Sequence, residues 1–262
     1  MMKYERLHAL ADYLKMQRQA TIPELAKAFS VSEITVRRDL NLLAEQGIVN
    51  KVYGGAVYNF DFIQQKLEVP ISKRQAEHIK AKRRIGELAA GLVEDEDTIF
   101  VDTGSTVYRM IPFLAEIRHL TLVTNSLDAL LAAANLKHVR LLTVGGLFQP
   151  DTHSFAGSYS EYALDRYSFD KAFIAAVSVS PERGVSNNNI YDTAIKRTAM
   201  KNSRLAYLVV DASKFQLNAF NNFAGLNEFS GLVTDRNPGE KVARYCENNQ
   251  IQLIFDHAAD PV

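Results

Sequence analysis

Four short segments of this chain put hydroxyl, amide, glycine or lysine residues directly behind apolar runs. They are Asp102-Thr103-Gly104-Ser105-Thr106, Thr124-Asn125-Ser126, Gly145-Gly146 with Ser154 and Gly157 shortly after, and Asp211-Ala212-Ser213-Lys214. A helix that begins in such a loop offers unpaired amides and partial positive charge, glycine lets backbone approach a ligand closely, and hydroxyls add neutral hydrogen bonds. The chemistry is that of an anion site, phosphate above all. Lys214 supplies a full cation there, and Lys196 is a second that could share the role. A serine or threonine ahead of a helix is more often only a cap, so each loop alone says little. Four of them at the strand ends of one sheet make a pocket the better account.

A second constellation lies near the front of the chain. Val36, Leu40 and Leu43 have the spacing of one buried helical stripe, so Glu33, Thr35, Arg37, Arg38 and Asn41 project outward or to the flanks, with Ser32 as the N-cap. Adjacent arginines beside a threonine at a helix start suit base edges and phosphates in a DNA major groove. Next, Ile48 to Tyr53 alternates as a strand, Gly54-Gly55 turns, and Ala56-Val57-Tyr58 returns. Such a hairpin is a wing whose Lys51 and glycine amides approach the phosphate backbone.

Three helices must position that face. Leu7, Leu10, Ala11 and Leu14 mark the first, Thr21-Ile22-Pro23-Glu24 reads as a capping box opening the second, and the third runs from Ser32 to Gly47. The short turn between the second and third is that of a helix-turn-helix. Behind it the chain has no clear periodicity over 59–76, and a basic helix is expected from about Glu77 to Leu92. Apolar strands are then expected at Thr98 to Val101, Leu120 to Thr124, Val139 to Val144, Lys171 to Ser178, Leu205 to Val210, Leu232 to Thr234 and Ile251 to Phe255, mostly separated by helical stretches. That order predicts an α/β domain with a largely parallel sheet. The expected organisation is a DNA-binding domain over 1–57, a linker over 58–76 and an effector-binding domain over 77–262.

Charge supports the division. The 262 residues carry 30 basic and 30 acidic side chains, but residues 1–58 sum to +2, 59–84 to +4 and 85–262 to −6. A basic front on an acidic body suits a chain that offers only its front to a polyanion. The longest uncharged run, Phe215 to Asn227, is too short and polar to span a bilayer, and no signal-peptide core precedes the first helix, so the cytoplasm is the expected location. A lone cysteine, Cys246, excludes an internal disulfide. The six histidines show no metal-ligand spacing, and neither metal nor cofactor is expected. His153 precedes the Ser154 loop as a candidate pocket residue, and Asn187-Asn188-Asn189 reads equally as a helix cap or as donors to sugar hydroxyls.

Val31-Ser32-Glu33-Ile34-Thr35-Val36-Arg37-Arg38-Asp39-Leu40, with Glu45-Gln46-Gly47 and Tyr53-Gly54-Gly55-Ala56, closely resembles the winged helix-turn-helix signature of the DeoR family of bacterial transcriptional regulators. The resemblance extends over nearly the whole chain. It implies a repressor of a carbohydrate operon, released from double-stranded operator DNA by a phosphorylated sugar or polyol, and working as a homo-oligomer, dimer or tetramer. It also implies a second domain with the ribose-5-phosphate isomerase and CoA-transferase type of fold, in which the Gly104-Ser105-Thr106 and Asp211-Ala212-Ser213-Lys214 segments look like the isomerase's phosphate loops. The isomerase's acidic loop has no counterpart here, and Lys196 stands where its general-base glutamate would. A protonated lysine does not abstract a proton beside a carbonyl. Binding without turnover is therefore expected, the alternative being an isomerase-type enzyme with an accessory DNA-binding head.

Overall fold

The computed structural model describes residues 3–45, 47–59, 69–216, 219 and 221–256. The chain divides into two compact units, Met1–Leu67 and Glu68–Val262. Residues 60–68 of the expected linker lie outside the described residues, as do Gln46 and His257.

In the first unit, helices α1 (Lys3–Gln17), α2 (Ile22–Phe29) and α3 (Glu33–Glu45) pack on a small sheet of β1 (Gln19–Thr21), β2 (Val49–Val52) and β3 (Gly55–Tyr58). The capping box at Thr21 forms as its sequence dictates: the threonine hydroxyl accepts the Glu24 amide, and the Glu24 carboxylate accepts the Thr21 amide at 2.8 Å. Ser30, in the left-handed region, closes α2. Leu10, Leu14, Leu25, Val36, Leu40 and Leu43 make the core. The sequence showed the β2–β3 hairpin but not β1, a three-residue strand without a hydrophobic pattern that pairs antiparallel with β3. Gly55 belongs there because a Cβ would sit 2.4 Å from the Ala20 carbonyl oxygen on β1.

The second unit begins with α4 (Ile71–Ala76) and α5 (Ile79–Ala90). Residues 71–76 were expected in the linker, but Ile71 is buried and its amide bonds to the Asp151 carbonyl, so they form a helix of this unit. Six residues are too few to print a helical period on a sequence. Seven strands then build one parallel sheet: β4 (Thr98–Val101), β5 (Thr121–Thr124), β6 (Arg140–Thr143), β9 (Phe169–Ile174), β12 (Ser203–Val209), β14 (Gly231–Val233) and β15 (Gln252–Ile254). Their order is β15-β14-β12-β9-β4-β5-β6. These are the expected apolar strands, and the continuous hydrophobic runs arise because both faces are covered. One cluster packs under Phe100, Ile174 and Leu208, the other under Ile99, Phe173 and Val209.

Two smaller antiparallel sheets escaped the sequence reading. The pair β7 (Leu147–Gln149) and β8 (Ser154–Ala156) follows the Gly145-Gly146 loop, with α7 (Ser158–Leu164) after it. A second sheet joins β10 (Ser178–Ser180), β11 (Gly184–Asn187) and β13 (Asn221–Ala224). The expected strand from Lys171 to Ser178 is thus two strands in different sheets, broken after Ile174. Helices α6 (Leu127–Ala133), α8 (Ile190–Lys201) and α9 (Glu240–Asn248) complete the unit. The helix expected behind Gly104 is a 3-10 helix, Val107–Leu114, with Pro112 inside it.

Candidate DNA-binding face and effector cleft

On α3, Ile34, Arg37, Arg38 and Asn41 fall at i, i+3, i+4 and i+7 and are all exposed, opposite the buried Val36, Leu40 and Leu43. Ser32 caps the helix by accepting the Thr35 amide at 3.2 Å, and the two hydroxyls meet at 2.9 Å. Glu33 and Arg37 approach to 3.8 Å in the open, a pairing that water screens. Lys51 on β2 donates to Asn41 Oδ1 at 2.8 Å, so the hairpin is fastened to the outer side of the recognition helix. Gly54 makes the hairpin turn beside the fully exposed Tyr53. Asp39 is the exception on this helix: it is buried and takes Arg6 Nε at 2.6 Å and a second guanidinium nitrogen at 3.4 Å, tying α3 to α1. Sequence reasoning gave no role to Ile34, although its place on the exposed stripe was visible. Its apolar side chain beside two arginines suits the methyl group of thymine.

In the second unit the strand ends surround a buried ion pair. Asp102, immediately after β4, is fully buried, and its Oδ2 accepts the Ala175 amide at 2.9 Å and the Lys196 ammonium. Lys196, on α8, also donates to the Ala175 carbonyl at 3.1 Å. Burial raises the Asp102 carboxyl above its ordinary range, opposed by Lys196 and by backbone amides. Gly104 allows this packing, since a Cβ there would lie 2.7 Å from that of Ala175. One turn before Lys196, Asp192 accepts the Ser154 hydroxyl at 3.0 Å. Ser154 meets the Thr152 hydroxyl at 2.7 Å, and Thr103 donates to the Thr152 carbonyl at 2.9 Å. Burial pushes the Asp192 carboxyl up to about 6, with Lys196 opposing and Asp102 adding. A cleft opens over these groups, lined by Arg74, Thr103, Thr152, Asn187, Asp192 and Lys196 together with Ala175 to Val177.

Of the residues selected from sequence, Thr103 and Lys196 line this cleft, and Asp102 and Ser154 stand behind it holding Lys196 and Asp192. Others hold its walls. Thr124 donates to the Val101 carbonyl and accepts the Ser126 amide, Ser126 caps α6, and Asn125 donates to the Phe155 carbonyl at 3.3 Å. The Gly145 carbonyl accepts from Ser160, Gly146 packs against that serine, and Gly157 precedes α7. Ser105 and Thr106 are buried and do not line the cleft. Asp211 takes the Ser213 amide at 3.1 Å and its hydroxyl, while its Oδ2 is buried without a partner among the described residues. Lys214 is half-buried beside it. His153 pairs with Asp128 at 3.2 Å and does not line the cleft. Of the three asparagines, Asn189 caps α8 by accepting the Tyr191 amide, and Asn187 lines the cleft.

Three contributors were missed. Arg74 lies on the short α4, Asp192 carried no motif, and Lys82 looked like one more charge in a basic helix. Lys82 is 2% exposed and donates to the Arg74 carbonyl. Burial lowers its pKa; Asp211 opposes this, while Lys214 and Arg74 reinforce it. A cationic cluster thus extends from Arg74 through Lys82 to Lys214. Among the described residues no cluster of His, Cys, Asp or Glu has metal-binding geometry, and no helix is long and apolar enough to cross a membrane.

Residues 6–61 match the model of the DeoR-like helix-turn-helix domain, and residues 77–236 match that of the DeoR C-terminal sensor domain. The chain belongs to the DeoR family. As such it is a DNA-binding transcriptional regulator. The HTH-type transcriptional regulator IolR of Bacillus subtilis is 32% identical over 96% of this chain and 99% of its own length. The lactose phosphotransferase system repressor of Staphylococcus epidermidis is 32% identical over 92% and 95%. The L-fucose operon activator of Haemophilus influenzae is 29% identical over 94% and 97%. Among solved structures, ribose 5-phosphate isomerase A of Methanocaldococcus jannaschii aligns over 53% of this chain and 55% of its own, with a TM-score of 0.40 and 22% identity, from which nothing about activity follows. In this DeoR-family regulator the cleft lies entirely within the sensor match except for Arg74, just ahead of it.

Proposed function

We propose that this regulator represses a carbohydrate-utilisation operon in the cytoplasm as a homo-oligomer. In this proposal a phosphorylated sugar or polyol binds the second unit and releases the protein from its operator. The observation that carries the proposal is the cleft, a polar cavity at strand ends inside a sensor-type domain, with Arg74 and Lys196 in its lining and Lys82 buried next to it. Among the described residues the buried Lys82 ammonium has one hydrogen-bond acceptor, a backbone carbonyl, and such a group gains from an anion arriving beside it. The phosphate is assigned to the side of Arg74, Lys82 and Lys214, with Ser105 and Thr106 behind it. Operator contacts are assigned to Ser32, Glu33, Thr35, Arg37, Arg38, Asn41, Lys51, Gly54 and Gly55. A dimer supplies the two recognition helices that a two-fold operator needs.

The test is calorimetry with phosphorylated sugars beside their unphosphorylated twins. Lys214→Ala is expected to weaken the phosphorylated compound by ~1.5 to 3 kcal/mol and the twin much less. Equal binding of both forms by the wild type contradicts the proposal. One observation favours a second reading, catalysis: Asp192 is a cleft carboxylate raised to about 6, the range of a general base. Lys196 is engaged by Asp102 and leaves Asp192 without a second acidic group opposite it in the cleft lining. No interconversion of ribose 5-phosphate above background is expected, and turnover that scales with protein concentration and survives repurification would establish the enzyme.

A further inference from the structure

Asp192 is buried and lines the cleft, yet the protein gives it one donor, Ser154 on Oδ1; among the described residues nothing donates to Oδ2. Lys196, the nearest cation on its own helix, is directed to Asp102 and the Ala175 carbonyl. The hydroxyl protons around it are committed as well. Ser154 has a single proton, which goes to Asp192, so in the Thr152–Ser154 contact threonine is the donor. Thr103 gives its proton to the Thr152 carbonyl. Arg74 lies within electrostatic reach of Asp192, but the hydroxyls packed around the carboxylate offer a ligand lone pairs and no protons, so beside Asp192 itself a ligand meets acceptors. A carboxylate kept buried with so few donors is costly to the free protein, consistent with its raised pKa. The cost makes sense where a ligand brings donors.

We infer that Asp192 accepts hydrogen bonds from hydroxyl groups of the effector, so that the sensor selects a phosphate ester of a polyhydroxylated chain and rejects deoxy and carboxylate-bearing counterparts. The inference rests on the effector-binding proposal above and specifies the chemistry of its non-phosphate end. A deoxy analogue leaves the buried carboxylate without its donor, and sites built to bond a hydroxyl discriminate strongly against ligands that lack it. A sugar acid sets a second anion against Asp192.

The experiment is calorimetry at one pH and salt concentration on the full chain and its Asp192→Asn variant. The probes are hexose and hexitol phosphates, their deoxy counterparts at each carbon, 6-phosphogluconate and inorganic phosphate. In the wild type the hydroxylated parent is expected to bind about 10- to 100-fold more tightly than one deoxy counterpart and than the sugar acid. In Asp192→Asn that preference collapses while inorganic phosphate still binds, at least as tightly as to the wild type because a neighbouring negative charge is gone, and the ligand-free melting temperature rises for the same reason. If the wild type binds parent and deoxy compounds alike, or if the variant keeps the preference, this inference fails and the sugar-phosphate proposal stands. A lowered melting temperature with an unchanged preference marks Asp192 as structural and overturns it too. Binding of none of the phosphorylated compounds overturns the effector proposal and this inference together.

Discussion

On the recognition helix, the side chains that would meet a ligand lie outside: Ile34, Arg37, Arg38 and Asn41 share one exposed stripe, and the core beneath them is apolar apart from Asp39. In the cleft the arrangement is inverted. Asp102, Asp192 and Lys196 are each at most 2% exposed, two of them form an ion pair, and the third relies on a serine. A surface that reads DNA can be changed without touching what holds the helix in place. A cleft that binds a small anion is made of groups the fold itself must keep solvated by one another, so there binding and stability are coupled.

Breaking the ion pair is expected to have the largest effect. Lys196→Ala leaves the Asp102 carboxylate buried without its cation and should cost about 3 to 5 kcal/mol, read from urea unfolding of the second unit. Adding Asp102→Asn should restore much of that loss. If Lys196→Ala costs less than about 1 kcal/mol, on the scale of an exposed pair, the inverted arrangement of the cleft is wrong.

Asp192 sharpens the contrast with the opposite sign. Its carboxyl titrates near 6 in the folded protein against an ordinary 3.8, so its contribution to stability is full below the unfolded value and is lost as pH rises from about 4 through 6. Replacing it by asparagine removes that loss. Asp192→Asn is therefore expected to match the wild type near pH 4 and to be more stable by on the order of 2 kcal/mol at pH 7.5, measured as the difference between two denaturation curves. Loss of stability at pH 7.5 would show that the fold needs the charge.

How much of this was legible in sequence follows the same division. The recognition stripe, the cap at Ser32 and the Gly54-Gly55 turn are local, each fixed by residues within a few positions, and each is where the spacing put it. The parallel sheet was legible because both faces are covered and its strands are continuous apolar runs. The cleft was legible only in part. Asp102 and Lys196 were selected as phosphate contacts, but they are separated by 94 positions and neutralise each other, a pairing no local pattern announces. Thr124, Ser126 and Gly157 took the commoner role of caps and turns. Arg74 and Asp192 went unnoticed because one lies on a helix too short to show periodicity and the other is a single acid on an ordinary helix.

The smallest effect on stability is expected on the DNA face. Arg37→Ala and Arg38→Ala should each lower operator affinity by ~1 to 3 kcal/mol at fixed salt while shifting unfolding by less than about 0.5 kcal/mol, since both side chains are exposed. Wild-type operator affinity in both variants would remove α3 from the recognition role.

The most direct measurement is release of a preformed operator complex, held at one salt concentration and titrated with phosphorylated hexoses and hexitols and with their unphosphorylated twins. At least one phosphorylated compound should free the DNA while its twin does not, and the Lys214→Ala protein should need about 10- to 100-fold more of it. Release by the twin at the same concentration, or release of wild type and Lys214→Ala alike, would contradict the assignment of the second unit as a sensor of phosphate esters.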